Sequence, residues 1–301
     1  MKNYSTLIAA RKIVGESLAL GTSRHAAKAE GAHVICGVST AHSHTQALKG
    51  VADWLHSTYG KHLDNLNEDE AIVYLTARSM VVGQSAVDLD RQAINFHLLH
   101  KSPIPFFPST IQRKLTNRAY TPLQIELLAS NATEEMRLSI ELANDAGLRA
   151  IELITITPLS CMRESERDAW SNFRFRGREE DTAFVVHGKG GLKRQVRISR
   201  AFANKLMLCL RPTPIEVSDR NVTHTSFFDL TGGANFSTKF TKLSKEVLGM
   251  SHGGHGLRHS FAQSRLHNLM CHGLTFEEAL RVLSNELGHF SSNNTFAYLR
   301  D

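Results

Sequence analysis

A chain of 301 residues is longer than one compact core usually needs, and 42% hydrophobic with 21% charged residues is a globular composition, which excludes a fibrous repeat or a disordered tail. No apolar run approaches membrane-spanning length, the start MKNYSTLIAARK lacks the core of a secretory signal, and Cys36, Cys161, Cys209 and Cys271 stand apart with no CxxC pair, so a cytoplasmic protein with reduced thiols is expected. The net charge of +6 is uneven: residues 1–112 hold ten Lys/Arg against nine Asp/Glu and residues 113–301 hold twenty-five against twenty, which suits a polyanionic partner of the second part.

The first third reads as helical. Ala47, Leu48, Val51, Trp54 and Leu55 fall at helical spacing between Ala41 and Tyr59, and Asn67 with Glu70 forms a capping pair ahead of a helix from Ala71 to Val82. A further helix is expected from Ser85 to about His100. Pro103, Pro105 and Pro108 then forbid helix, and this extended stretch, from about residue 101, is expected to be an interdomain linker. The predicted domains are therefore 1–112 and 113–301.

Thr121, Pro122 and Gln124 mark the next helix start, and a helix from about Glu134 is stopped by Gly147. Between Thr182 and Ser199, AFVV and QVRIS flank the glycine-rich turn HGKGGLKR, the pattern of a β-hairpin. The remainder reads as mostly helical, with helices over Asn235–Gly249, His255–His272 and Thr275–Leu287. The fold class expected is mostly α with a small β-sheet: a helical N-terminal domain followed by an α+β domain.

From Arg163 to Arg200 the chain is dense in arginine and lysine, a density that a phosphate backbone attracts but that by itself reads as a solvated charged face; Arg174, Arg176, Arg178, Lys193, Arg194 and Arg197 are the candidates to contact a polyanion. His252, His255 and His259 lack the carboxylate a metallohydrolase helix places in register, so no metal is expected; GxxxxGK[ST] is absent, so no ATP site is expected either.

Taken in chain order, AGLRAIEL holds Arg149, HGKGG holds Lys189, HGLRHSFA holds His255 and Arg258, ELGH holds His289, and Tyr298 follows nine residues later. Each box is weak by itself, yet the ordered set resembles the tyrosine recombinase, or phage integrase, family from about Thr121 to the end. Residues 1–112 look like the core-binding domain that precedes the family's catalytic domain.

Attack on a phosphodiester places negative charge on the nonbridging oxygens, which paired guanidiniums can clamp; Arg149 and Arg258 are the candidates, and His255 shares a helix face with Arg258. The resemblance implies Tyr298 as nucleophile, His255 as its acid/base partner and His289 as hydrogen-bond donor to the phosphate. It further implies Lys189, with Lys193 as the alternative, as the acid that protonates the departing 5′ oxygen, and Glu152 as a supporting carboxylate. A 3′-phosphotyrosine intermediate conserves the bond energy, so no cofactor is implied. Double-stranded DNA is the implied partner, worked on by a homotetramer, with a directionality factor as accessory, in a bacterial or phage setting and in the service of a mobile element.

The pattern departs from the family in three places. Forty positions separate Arg149 from Lys189 and thirty-one separate Arg258 from His289, which points to insertions, and three residues follow Tyr298 where many members carry another helix, so protomer coupling by a different surface or a longer chain is expected. Two alternatives share the fold: a type IB topoisomerase-like enzyme, which relaxes supercoils as a monomer, and a DNA-binding regulator that does not cut.

Overall fold

The computed structural model describes residues 5–20, 22, 27, 29–98, 104–112, 116–188, 191–220, 222–289 and 291–299. Their contacts divide the chain into two compact units, residues 1–114 and 115–301. Among the described residues no helix is long and apolar enough to cross a membrane.

In the first unit the helices are α1 (Thr6–Gly15), α2 (Val38–Tyr59), α3 (Glu68–Ser79) and α4 (Gln84–Leu98). Leu48, Val51 and Leu55 of α2 are fully buried with Leu75, Ile94 and Ile104. The Asn67–Glu70 capping box is present, but α3 starts at Glu68 directly behind its cap and ends at Ser79, three residues before the expected Val82. The expected end of α4 near His100 lies outside the described residues. The proline-rich segment is not a free tether where it is described: Ile104 enters the core, Phe107 packs against it, and Ser109 N–H donates to Gln84 Oε1 at 2.7 Å. Apolar side chains between the prolines make extended chain and burial compatible.

In the second unit α5 (Pro122–Ser130) starts with the Thr121–Gln124 capping box, and α6 (Glu134–Asp145) gives way to Gly147 in the left-handed region at φ 60°. The short α7 (Glu152–Thr155) leads into an antiparallel sheet of β1 (Thr157–Pro158), β2 (Thr182–His187) and β3 (Lys193–Ile198), in that spatial order. The predicted hairpin is thus the main part of this sheet, with Val186 opposite Arg194. Then come α8 (Arg200–Leu208), a second antiparallel pair, β4 (Leu210–Asp219) with β5 (Val222–Phe228), and α9 (Gly233–Leu248), α10 (His255–Cys271), α11 (Phe276–Glu286) and α12 (Ser292–Phe296).

The mostly helical class is borne out. The chain after Ser199 is mostly helical as expected, and the β4–β5 hairpin is an addition that the sequence reading did not foresee. β4 contains Pro212 and Pro214; it pairs on one side only, and an edge strand tolerates residues that cannot donate to a ladder. Phe184, Phe228, Phe236 and Phe240 fill the main core between the sheets and α9, while Phe261, Leu269, Leu283 and Leu287 form a smaller cluster that includes Tyr298.

Candidate active site

Glu152 is the centre of the site. Its side chain is fully buried, and Arg194 Nη2 lies 2.7 Å from Oε2, Arg149 Nη1 2.8 Å from Oε1 and Arg258 Nη1 3.6 Å from Oε2. Burial opposes ionisation, but the three guanidiniums outweigh it and hold the carboxyl far below its usual range. An ordinary helix-surface carboxylate would show none of this. The left-handed Gly147 bends the chain so that Arg149 folds back over the start of α7, where its own N–H also donates to Glu152 Oε2 at 2.8 Å.

Arg258 projects from the second turn of α10 and donates to the carbonyls of Gly147 and Leu287. Its side chain is wholly buried, and burial first and Arg149 second pull its pKa down to about 9. Glu152, 3.6 Å away, opposes this but does not cancel it, because Arg149 and Arg194 share the same carboxylate. Arg149, a quarter exposed, is the solvent-facing member of the pair.

Tyr298 follows α12, its hydroxyl 3.0 Å from His255 Nε2, and its ring stands 5.8 Å from the Arg258 guanidinium carbon. Burial, then Arg258, depress His255 to about 4, so its imidazole is neutral near pH 7, and in the tautomer with the proton on Nδ1 its Nε2 accepts a hydrogen bond from the phenol. His289 ends the turn after α11: Nε2 is 3.5 Å from Arg258 Nη2, and Nδ1 is 3.2 Å from the Thr295 hydroxyl. A guanidinium only donates, so Nε2 accepts here and Nδ1 carries the proton. The Thr295 and Ser284 hydroxyls, 2.5 Å apart, can rotate to serve either tautomer.

Lys189 lies outside the described residues. Its neighbour Gly188 is described, and a Cβ there would stand 3.1 Å from Glu152 Oε1, so the hairpin turn approaches the carboxylate because position 188 has no side chain. Lys193 is exposed at the turn end of the hairpin, opposite His187, where its N–H donates to Ser165 Oγ.

One of the six expected DNA contacts needs correction, and three others are partly buried and bonded within the protein. Arg194 is 1% exposed, because the alternation of β3 turns it inward with Val196 and Ile198. Arg174 stacks on Trp170 at 3.9 Å and pairs with Glu164, Arg178 is tied to Asp145 and Asp181, and Arg197 donates to the Asp181 carbonyl at 2.7 Å. These side chains hold the 161–181 segment in place. Arg176 and Lys193 are exposed.

Sequence reasoning missed other parts. His259, dismissed with the histidine cluster, lies against the Tyr298 ring at 4.5 Å, four residues after His255 on the same face of α10. Gln263 Nε2 donates to the Tyr298 carbonyl at 3.2 Å, and Arg118 donates to the His252 carbonyl at 2.9 Å and helps to depress His255 and His259. The helical period of α10 was the available signal for His259 and Gln263.

No protein-family model matches the sequence, and no curated protein matches it. Solved structures do. The chain is similar to the XerH site-specific recombinase bound to palindromic difH substrate, with a TM-score of 0.56 and 13% identity over 98% of this chain and 92% of that one. It is likewise similar to a lambda integrase dimer bound to a COC′ core site, at 0.56 and 14% over 100% and 82%, and to the Tn1549 transposon integrase in complex with transposon right end DNA, at 0.53 and 13% over 99% and 95%. At such identities the likeness is one of architecture, and on it the chain has the tyrosine recombinase fold.

Proposed function

We propose that this protein is a site-specific DNA recombinase that cleaves and rejoins DNA strands through a 3′-phosphotyrosine formed by Tyr298. The observation that carries the proposal is the Tyr298 hydroxyl 3.0 Å from a neutral His255, beside a buried cluster of arginines in excess of their carboxylate. A phenol near its free pKa of about 10 is a poor nucleophile and needs such a base. His255 takes the proton as the phenolic oxygen attacks phosphorus. Arg149 and Arg258 receive the charge that grows on the nonbridging oxygens, and a phosphate that reaches Arg258 displaces the Tyr298 ring from over the guanidinium. His289, switched by Thr295 to carry its proton on Nε2, donates to the same phosphate. The 5′ oxygen leaves with a proton from Lys189, and attack by a 5′ hydroxyl of the second strand reverses the step and releases Tyr298.

In this proposal residues 1–112 are the core-binding domain, 113–301 the catalytic domain, and a homotetramer acts on two double-stranded sites. The lambda integrase tetramer bound to a Holliday junction, similar at a TM-score of 0.55, supports that assembly.

The test starts by selecting the bound sequence from a random DNA pool with the full chain. A nicked suicide duplex built on that sequence should yield a covalent protein–DNA adduct, unaffected by a chelator. A sequence bound tightly and never cut would make the chain a DNA-binding regulator instead.

A further inference from the structure

One carboxylate meets three guanidiniums at Glu152, which leaves a formal balance of +2 among these four groups. The three arginines are not equivalent. Arg149 is partly exposed, and Arg258, though buried and bonded to the Gly147 and Leu287 carbonyls, also has the side chains of Tyr298 and His289 against its guanidinium. Arg194 is closed in by backbone: its Nη1 donates to the Glu286 carbonyl at 2.5 Å, its Nη2 donates to Glu152 Oε2, and Gly288 packs so tightly that a Cβ there would stand 3.0 Å from its Cδ. No phosphate reaches it.

We propose that Arg194 is a positioning residue for strand cleavage: it balances Glu152 from the inner side, so that the charges of Arg149 and Arg258 stay available to the scissile phosphate. This rests on the recombinase function proposed above. A phosphodiester attacked by a deprotonated phenol passes through a five-coordinate phosphorus with two negative charges, which the +2 balance matches. Remove Arg194, and Glu152 draws on Arg149 and Arg258 alone, leaving +1 where the charge develops. Arg194 also ties β3, the strand paired with β2 next to Gly188, to the Glu286 carbonyl three residues before His289, so it joins three parts of the site through one side chain.

The test compares two nicked duplexes of the selected sequence, one with an ordinary scissile phosphodiester and one with a methylphosphonate there, in which a methyl group replaces a nonbridging oxygen and the formal charge is gone. Single-turnover adduct formation is measured for the full chain and for Arg194→Gln and Arg194→Lys, with melting temperature and gel-shift affinity alongside. Arg194→Gln should slow cleavage of the phosphodiester by about 100-fold, and the defect should shrink at least tenfold on the methylphosphonate, the range expected when one preorganised charge is lost. Arg194→Lys should keep the wild-type preference between the two substrates. Equal loss by Arg194→Gln on both duplexes would reduce the residue to a structural role, and no loss on either would also overturn the proposal. Should Arg194→Gln fail to fold, the pair Arg194→Gln/Glu152→Gln removes cation and anion together and restores +2; wild-type substrate preference is expected of it, and loss of that preference overturns the proposal. Failure of the unaltered chain to form any adduct rejects the recombinase function itself, and the role of Arg194 falls with it.

Discussion

The Tyr298 hydroxyl and His255 Nε2 stand 3.0 Å apart, although the two residues are 43 positions apart in sequence, one at the start of α10 and the other in the turn after α12. Removing one atom from this pair should be decisive. Tyr298→Phe is expected to abolish adduct formation on the suicide duplex and leave gel-shift affinity within a few-fold, because no positive charge is lost. His255→Ala should retain a slow adduct, since general-base catalysis contributes roughly 100- to 10,000-fold. An adduct from the Phe variant would assign the nucleophile elsewhere.

Arg258→Lys should be more damaging than Arg149→Lys. Both lose the planar fork that grips a phosphate, and an activity loss of about 100- to 1,000-fold is expected from either. Arg258 in addition holds the carbonyls of Gly147 and Leu287 from a wholly buried position, so its replacement should also lower the urea midpoint, while Arg149→Lys should not. Matched cleavage and denaturation series on the two variants check the split.

Stability should fall on acidification before the carboxylates titrate. His259, 7% exposed, is held at about 4 by burial first and then Arg118, and His289 at about 3 by burial and then Arg258. In the unfolded chain both titrate near 6.5, so between about pH 6.5 and 4 the unfolded state binds more protons. Their contribution is therefore complete above pH 6.5 and is lost as pH falls. Urea denaturation in steps from pH 7.5 to 4.5 should show the decline, and His259→Phe should flatten it by on the order of 2 kcal/mol. A curve unchanged by that substitution would mean that His259 is protonated in the folded chain.

Gly147→Ala should destabilise the catalytic unit by about 2–4 kcal/mol and disturb the arginine cluster, whereas Gly249→Ala should cost about 1 kcal/mol and leave cleavage intact. Both glycines have positive φ, but a Cβ at 147 would stand 2.4 Å from Phe261 Cδ1, and at 249 it would meet nothing within 4 Å. Comparable losses from the two variants would show that Phe261 yields easily.

Lys189 is tested through the leaving group. Lys189→Ala should slow cleavage strongly on a normal phosphodiester and recover on a 5′-bridging phosphorothioate, which expels a thiolate that needs little protonation. Lys193→Ala, which removes an exposed charge from the same hairpin, is the control. Recovery confined to Lys193→Ala would move the acid to that residue.

Local chemistry alone determined much of this molecule. The capping boxes at Asn67 and Thr121 are present as predicted, because each is a contact between residues three apart, and the 182–199 hairpin follows from alternation around a glycine turn. The order of the Arg149, His255, Arg258, His289 and Tyr298 motifs suggested which residues to look for. What only the tertiary structure decided is which charges face outward. Arg194 and Arg174 look in sequence like the exposed Lys193 and Arg176, and the alternation of β3 turned Arg194 inward without saying what it would meet there. Glu152 lies 42 positions before Arg194, and Glu286 lies 92 after it. A buried guanidinium persists only where a carboxylate and carbonyls reach it together, and that meeting of α7, β3 and the end of α11 belongs to the packing, not to any stretch of the chain.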